Sequence, residues 1–407
     1  MIKWNNFELF REELHNELTT NILPYWEKLR DKEFGGYYGR VTGQEELIPD
    51  AQKGAVLQAR ILWTFSAAAR VLKDKRYLEY ATHARNFLTD RLYDKQYGGV
   101  FWSVDHKGEP VDTRKQFYAL GFALYGLSEY HRATGDAQAL EYAVALFESI
   151  QEHSCDKIYG GYIEATSRDW TEIRDLRLSA KDANERKTMN THLHILEPYT
   201  NLFRVWKDAR LEKALAELIE LFINKIENPR THHLSLFFDE EWHVKGSGHS
   251  FGHDIEASWL LLEAAKELAT YKPGVYGELL NRVTDHTRQI AFAALQGLQP
   301  DGSLIYEVHT SGRIDSSRHW WVQAETVVGL YYLYVEHQVP HAMGLACSCW
   351  DYIKENIVDK LHGEWLWSPG NRTDDKAGFW KCPYHNSRMC LEIISSTALS
   401  NGSVLMR

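Results

Sequence analysis

Proline and cysteine are scarce in this chain, with 10 and 5 residues among 407. So few prolines leave long stretches free to form unbroken helix, because an interior proline removes a backbone donor and clashes with the preceding turn. The cysteines, Cys155, Cys347, Cys349, Cys382 and Cys390, are odd in number and include no C-x-x-C spacing. That excludes an evident disulfide framework or thiolate zinc site and leaves reduced, mostly buried thiols as the expectation. No apolar run approaches the ~18 residues of a membrane span, and no basic region followed by an apolar stretch opens the sequence. We therefore expect a cytoplasmic protein with no membrane partner. The net charge is −10 and no Lys/Arg cluster offers a local exception, so a nucleic-acid partner is not expected either.

What is present is an ordinary globular balance, 44% hydrophobic and 25% charged, with a high aromatic load of 14 Trp and 22 Tyr. Most of these rings belong to a core, although ring faces also stack on sugar C–H faces in carbohydrate clefts. An internal repeat organises the chain. Gly35-Gly36-Tyr37-Tyr38-Gly39-Arg40, Gly98-Gly99-Val100-Phe101-Trp102, Gly160-Gly161-Tyr162-Ile163-Glu164, His233 to Phe238, Asp301 to Tyr306 and Gly363 to Trp367 all combine turn residues with alternating aromatic and β-branched ones. They recur at roughly 62 to 73 residues, a period that marks repeat architecture. Between them lie pairs of helical patterns, such as Ala55 to Phe65 with Tyr77 to Leu88, and Tyr118 to Tyr130 with Ala137 to Ile150. Six helix hairpins without a linker or composition shift predict one all-α domain over residues 1–407, closed into an (α/α)6 barrel. Open solenoid repeats are usually shorter, about 33 to 47 residues.

The chemistry-bearing residues gather where the first helix of each hairpin begins. In the octapeptide Asn190-Thr191-His192-Leu193-His194-Ile195-Leu196-Glu197, helical spacing puts Asn190, His194 and Glu197 on one face and turns His192 away by roughly 200°. The two histidines are thus not a chelating pair. Pro198 directly follows and loosens the expected geometry of Glu197. Ser250-Phe251-Gly252-His253-Asp254-Ile255-Glu256 places His253 and Glu256 three residues apart on one face. Arg318-His319-Trp320-Trp321-Val322-Gln323-Ala324-Glu325 opens another helix, and Trp380-Lys381-Cys382-Pro383-Tyr384-His385 precedes the last one. Arg60 is the lone charge between Ala55 and Phe65.

A glycosidase could use Glu256 and Glu325 as its paired carboxyls, but the histidines would then have no task. Three imidazoles could hold zinc, yet no H-E-x-x-H or comparable local chelate is present, so no metal is expected. Proton abstraction beside a carbonyl suits the set best. Histidine titrates near neutrality, so one ring can take a proton while another returns one, with Arg60 or Tyr118 stabilising the enolate oxygen.

These motifs, A-x-x-L-x-A-R loosely read at 54–60, N-T-H-L-H-I-L-E at 190–197, G-H-D-I-E at 252–256, W-W-x-Q-A-E at 320–325 and W-K-C-P-Y-H at 380–385, resemble those of the N-acylglucosamine 2-epimerase superfamily, most closely its cellobiose 2-epimerase branch. The resemblance implies an (α/α)6 barrel and an isomerase without cofactor or metal. Its members open a reducing sugar, form a cis-enediolate and reprotonate C2 on the other face. By resemblance His253 and His385 are the acid/base pair and His194 assists ring opening. Arg60, Tyr118, Asn190, Glu256, Trp320 or Trp321, and Trp380 contact sugar, and Asp182 touches the second sugar unit; Glu325 is placed with this binding set. The implied substrate is a β-1,4-disaccharide such as cellobiose or lactose, handled by a monomer or weak homodimer. A monosaccharide 2-epimerase or mannose isomerase on the same fold, and a glycoside hydrolase on an (α/α)6 scaffold, remain the alternatives.

Overall fold

The computed structural model describes residues 5–396. Twelve long helices and one short one make up most of it: α1 (Asn5–Asn16), α2 (Leu23–Lys28), α3 (Ala55–Val71), α4 (Tyr77–Phe87), α5 (Phe117–Thr134), α6 (Ala137–His153), α7 (Met189–Val205), α8 (Ala209–Leu221), α9 (Phe251–Tyr271), α10 (Pro273–Ala294), α11 (Trp320–Val335), α12 (Ala342–Asn356) and α13 (Tyr384–Ser395). Burial sorts them into two rings. In α3 every residue from Ala55 to Ala69 is buried, as expected of a helix packed on all sides. In α6 the buried residues are Ala139, Ala143, Leu146, Phe147 and Ile150, a single stripe at helical spacing that faces inward.

The inner ring closes on itself: α3 packs on α5, α5 on α7, α7 on α9, α9 on α11, α11 on α13, and α13 returns to α3. Outside it, α4, α6, α8, α10 and α12 cover α3, α5, α7, α9 and α11. The sixth outer helix is α1, which packs on α13. The fold is an (α/α)6 barrel in which five hairpins are sequential and the sixth joins the two ends of the chain. Trp26, Asn386 and Lys381 converge on buried Glu364 at this junction, and Trp365 donates to Glu17 at 2.7 Å.

Each repeat contributes one narrow antiparallel turn, closed by the bridges Arg30–Tyr37, Tyr93–Val100, Cys155–Tyr162, Glu227–Leu234, Leu298–Leu304 and Val358–Trp365. The fourth residue of an inner helix pins the turn in four repeats. Gln58 accepts from the Tyr37 N–H at 2.9 Å and donates back to its carbonyl at 2.8 Å, and Gln323 does the same to Leu304. His192 accepts from the Tyr162 N–H at 2.9 Å, and Asp254 from the Leu234 N–H at 2.8 Å. Gly161, at φ 77°, is required here, since a Cβ would lie 2.7 Å from the His192 ring nitrogen.

Candidate functional site

The first two turns of the inner helices converge on one end of the barrel. Arg60 lies on α3, Tyr118 on α5, Asn190 and His194 on α7, His253 on α9, Trp321 on α11 and His385 on α13. The Arg60 guanidinium is buried, donates to the Tyr118 hydroxyl at 2.8 Å and lies 4.1 Å from the centre of the Phe122 ring. The rings of Tyr118 and Phe122 flank His194 at 5.0 and 5.1 Å. Trp380 stands 6.0 Å from Tyr118 and from Trp102, extending this aromatic wall toward the mouth.

Pro198 does not interrupt α7. Its missing N–H leaves the His194 carbonyl without its usual helical donor, and α5 closes on that spot through Gly121, where a Cβ would meet the carbonyl oxygen at 2.4 Å. With the helix continuous, His194 and Glu197 share a face and the ring nitrogen Nδ1 meets Glu197 Oε1 at 2.5 Å. The other Glu197 oxygen accepts from the Tyr384 hydroxyl and, at 2.5 Å, from Arg388. Asn190 is half-buried, with its Oδ1 buried and unpartnered among the described residues.

His385 is held in the same way. Its Nδ1 lies 2.7 Å from Glu325 Oε1, and the other Glu325 oxygen accepts from the Trp259 indole at 3.1 Å. His253 has no carboxylate partner among the described residues; its Nδ1 faces the Ser250 hydroxyl at 2.8 Å. Both rings pack against Trp321, at 4.8 Å for His253 and 5.6 Å for His385. Burial, reinforced by the neighbouring His194 and His385, pushes the His253 pKa down to about 3. Burial also brings His385 to about 3, against the opposing pull of Glu325, and lowers His194 in the same direction. All three rings are therefore neutral near pH 7.

The tryptophan doublet divides cleanly. Trp321 is half-buried beside the two histidines, whereas Trp320 is 2% exposed, packed 4.5 Å from Trp367 with the Lys381 ammonium over its face. Trp320 is thus packed into the core on its Trp367 side. Glu256 and Glu325 are both wholly buried and accept from the same Arg388 nitrogen, at 2.5 and 2.6 Å. This puts Glu325 behind His385 as its support rather than in the pocket lining. Burial and the charge of Glu325 push the Glu256 carboxyl well above its ordinary range, against the opposing pull of Arg388. Although Glu256, Glu325 and His385 are near enough to share a cation, the guanidinium of Arg388 already supplies positive charge between the carboxylates. Asp182 lies in the loop before α7, where it accepts from the Ser179 N–H at 2.8 Å.

Sequence reasoning missed Arg388, Tyr384 and Ser250. Arg388 lies one turn beyond His385, but its helix also carries Asn386, Ser387 and Glu392, so it lacked the lone-charge signal that drew notice to Arg60.

The sequence profile described as N-acylglucosamine 2-epimerase (GlcNAc 2-epimerase) matches residues 36–385. The chain belongs to this family. Within the N-acylglucosamine 2-epimerase family it is 57% identical to a cellobiose 2-epimerase of Bacteroides fragilis, over 95% of this chain and 99% of that protein. The structure of a cellobiose 2-epimerase from Bacillus thermoamylovorans superposes with a TM-score of 0.90 at 42% identity, covering 95% of this chain and 99% of that one. A D-mannose isomerase structure shares the fold, with a TM-score of 0.78 at 19% identity and coverage of 96% and 97%. The family assignment and the geometry agree that the enzyme is a carbohydrate epimerase of the isomerase class.

Proposed function

We propose that this chain is a cellobiose 2-epimerase, interconverting reducing-end glucose and mannose units of β-1,4-linked disaccharides such as cellobiose and lactose. The observation that carries the reading is the pair of neutral imidazoles, His253 and His385, both packed against Trp321 at the inner-helix N-termini. Epimerising a carbon through a planar intermediate is served by one proton-transfer group for each face, and two such rings next to one tryptophan support that reading.

In the proposed sequence His194 assists ring opening, exposing the C1 aldehyde. One of His253 and His385 removes the C2 proton; the C–H electrons become the C1–C2 double bond and the C1 oxygen takes the negative charge. Arg60, with Tyr118 bonded to it, stabilises that oxygen, and the positive ends of the surrounding helix dipoles add to the effect. The opposite imidazole, neutral in the free enzyme, takes up a proton from solvent once the negative enediolate occupies the site and delivers it to the other face of C2 as the C1 oxygen gives up its charge and the aldehyde re-forms. Asn190, Trp321 and Trp380 hold the reducing-end sugar, Asp182 the second unit, and Glu256 and Glu325 act from beneath the histidines. The donors and the cleft need no cofactor for these steps.

Return of the proton to C1 instead of C2 would make the chain an isomerase, so products decide between the two. Incubation with cellobiose should give glucosyl-mannose, with deuterium from heavy water at C2. Conversion of mannose without any change in cellobiose would favour the monosaccharide reading. The hydrolase alternative loses support from the geometry, because both of its candidate carboxyls are buried against Arg388. His385→Ala and His253→Ala should each abolish epimerisation, with C2 exchange confined to the one epimer whose proton faces the remaining histidine; release of glucose by either variant would sink the proposal.

A further inference from the structure

We infer that Arg388 is a positioning residue that serves two catalytic histidines at once, fixing the carboxylates behind His194 and His385 through a single guanidinium. The inference rests on the epimerase reading for the tasks of those histidines, but the geometry stands by itself. Arg388 is fully buried in the second turn of α13. Its Nη1 donates to Glu197 Oε2 at 2.5 Å, while Nη2 donates to Glu325 Oε1 at 2.6 Å and to Glu256 Oε1 at 2.5 Å. Glu197 uses its remaining oxygen on His194 Nδ1, and Glu325 Oε1 also meets His385 Nδ1. The result is one continuous chain, His194–Glu197–Arg388–Glu325–His385, running across three inner helices, α7, α11 and α13.

A guanidinium suits this post because it is planar and offers its donors in a fixed fork, where an ammonium is a single point charge. The fork is itself clamped: the Trp259 and Tyr384 rings lie 4.7 and 4.4 Å from the guanidinium carbon. Each carboxylate thus orients the Nδ1 side of its histidine and leaves Nε2 for chemistry. The charged neighbours of His194 are Glu197, Arg60 and Arg388; those of His385 are Glu325, Glu256, Arg60 and Arg388. His253 stands outside the chain, since it faces Ser250. It meets the chain only through the field of His194, His385 and Glu325, without a hydrogen bond to any of them, and so is the ring least affected.

Arg388→Lys keeps the charge and loses the fork. The expected result is a fall in kcat of about 100-fold, as for a misplaced catalytic group, with little change in KM. The deciding readout is the nitrogen NMR spectrum of the histidine rings in the whole enzyme. Signals of His194 and His385 should move together in Arg388→Lys, and by more than those of His253, which feels them only through their charge. If His253 moves as far as the other two, Arg388 is a general structural support; if only one of His194 and His385 moves, it does not couple them, and either result overturns the proposal. Should Arg388→Lys fail to fold, Glu197→Gln tests the same link. It should move His385 as well as His194, and more than Tyr384→Phe does; an unmoved His385 refutes the link. Absence of any epimer from the wild-type enzyme would instead refute the activity reading, leaving the spectral result as it is.

Discussion

At the level of single residues, adjacent side chains in this fold do unrelated jobs because a helix turns by about 100° per residue. Trp320 and Trp321 are the sharpest case. Trp320→Ala should cost about 3–5 kcal/mol of stability, the range for an aromatic side chain removed from a packed core, with sugar affinity unchanged in the surviving enzyme. Trp321→Ala should instead raise KM about tenfold, equivalent to roughly 1.4 kcal/mol of lost stacking, with a smaller loss of stability. Denaturant titration and steady-state kinetics on both variants check the division; a KM effect from Trp320→Ala would contradict it. His192 and His194 make the same point. The first faces its repeat's turn and the second faces Tyr118, Phe122 and Glu197.

At the level of elements, the repeated device is an inner helix whose fourth residue holds its own turn. Glutamine does this in two repeats and histidine in another, so His192→Gln should fold and turn over normally near pH 7. It should also change the response to acid. Burial lowers His192 to about 4 in the folded protein, against an ordinary value near 6.5 when unfolded. The unfolded chain therefore binds the extra proton first, and stability is lost as pH falls from 6.5 toward 4. Glutamine removes that loss. The variant should match the wild type at pH 7 and exceed it by roughly 3 kcal/mol near pH 4, at about 1.4 kcal/mol per pH unit. Parallel pH dependences in urea melts would show that His192 does not titrate in this way.

For the molecule as a whole, ring closure by α1 means that α13, which carries His385 and Arg388, depends on α1 and the helical turn Glu17–Ile22 for its outer cover. Trp26→Ala at this junction should cost about 3–5 kcal/mol and reduce activity only through the unfolded fraction. Equal kcat per folded molecule, measured below the melting transition, is the expected outcome. Closure also explains why the site is assembled at all. Arg60 and His385 are remote in sequence, yet α3 and α13 are neighbours in the ring.

The repeat period, the alternation of inner and outer helices and the gathering of histidines at inner-helix N-termini were all legible in the sequence, because turns, helical periodicity and burial leave local patterns. So was the division of labour within the octapeptide, which follows from helical spacing. Which tryptophan of the doublet faces the cleft, the hub at Arg388 and the joining of α1 to α13 were decided only by tertiary structure. Each depends on contacts between helices far apart along the chain, and a buried ion pair is written in two places with nothing local to match them.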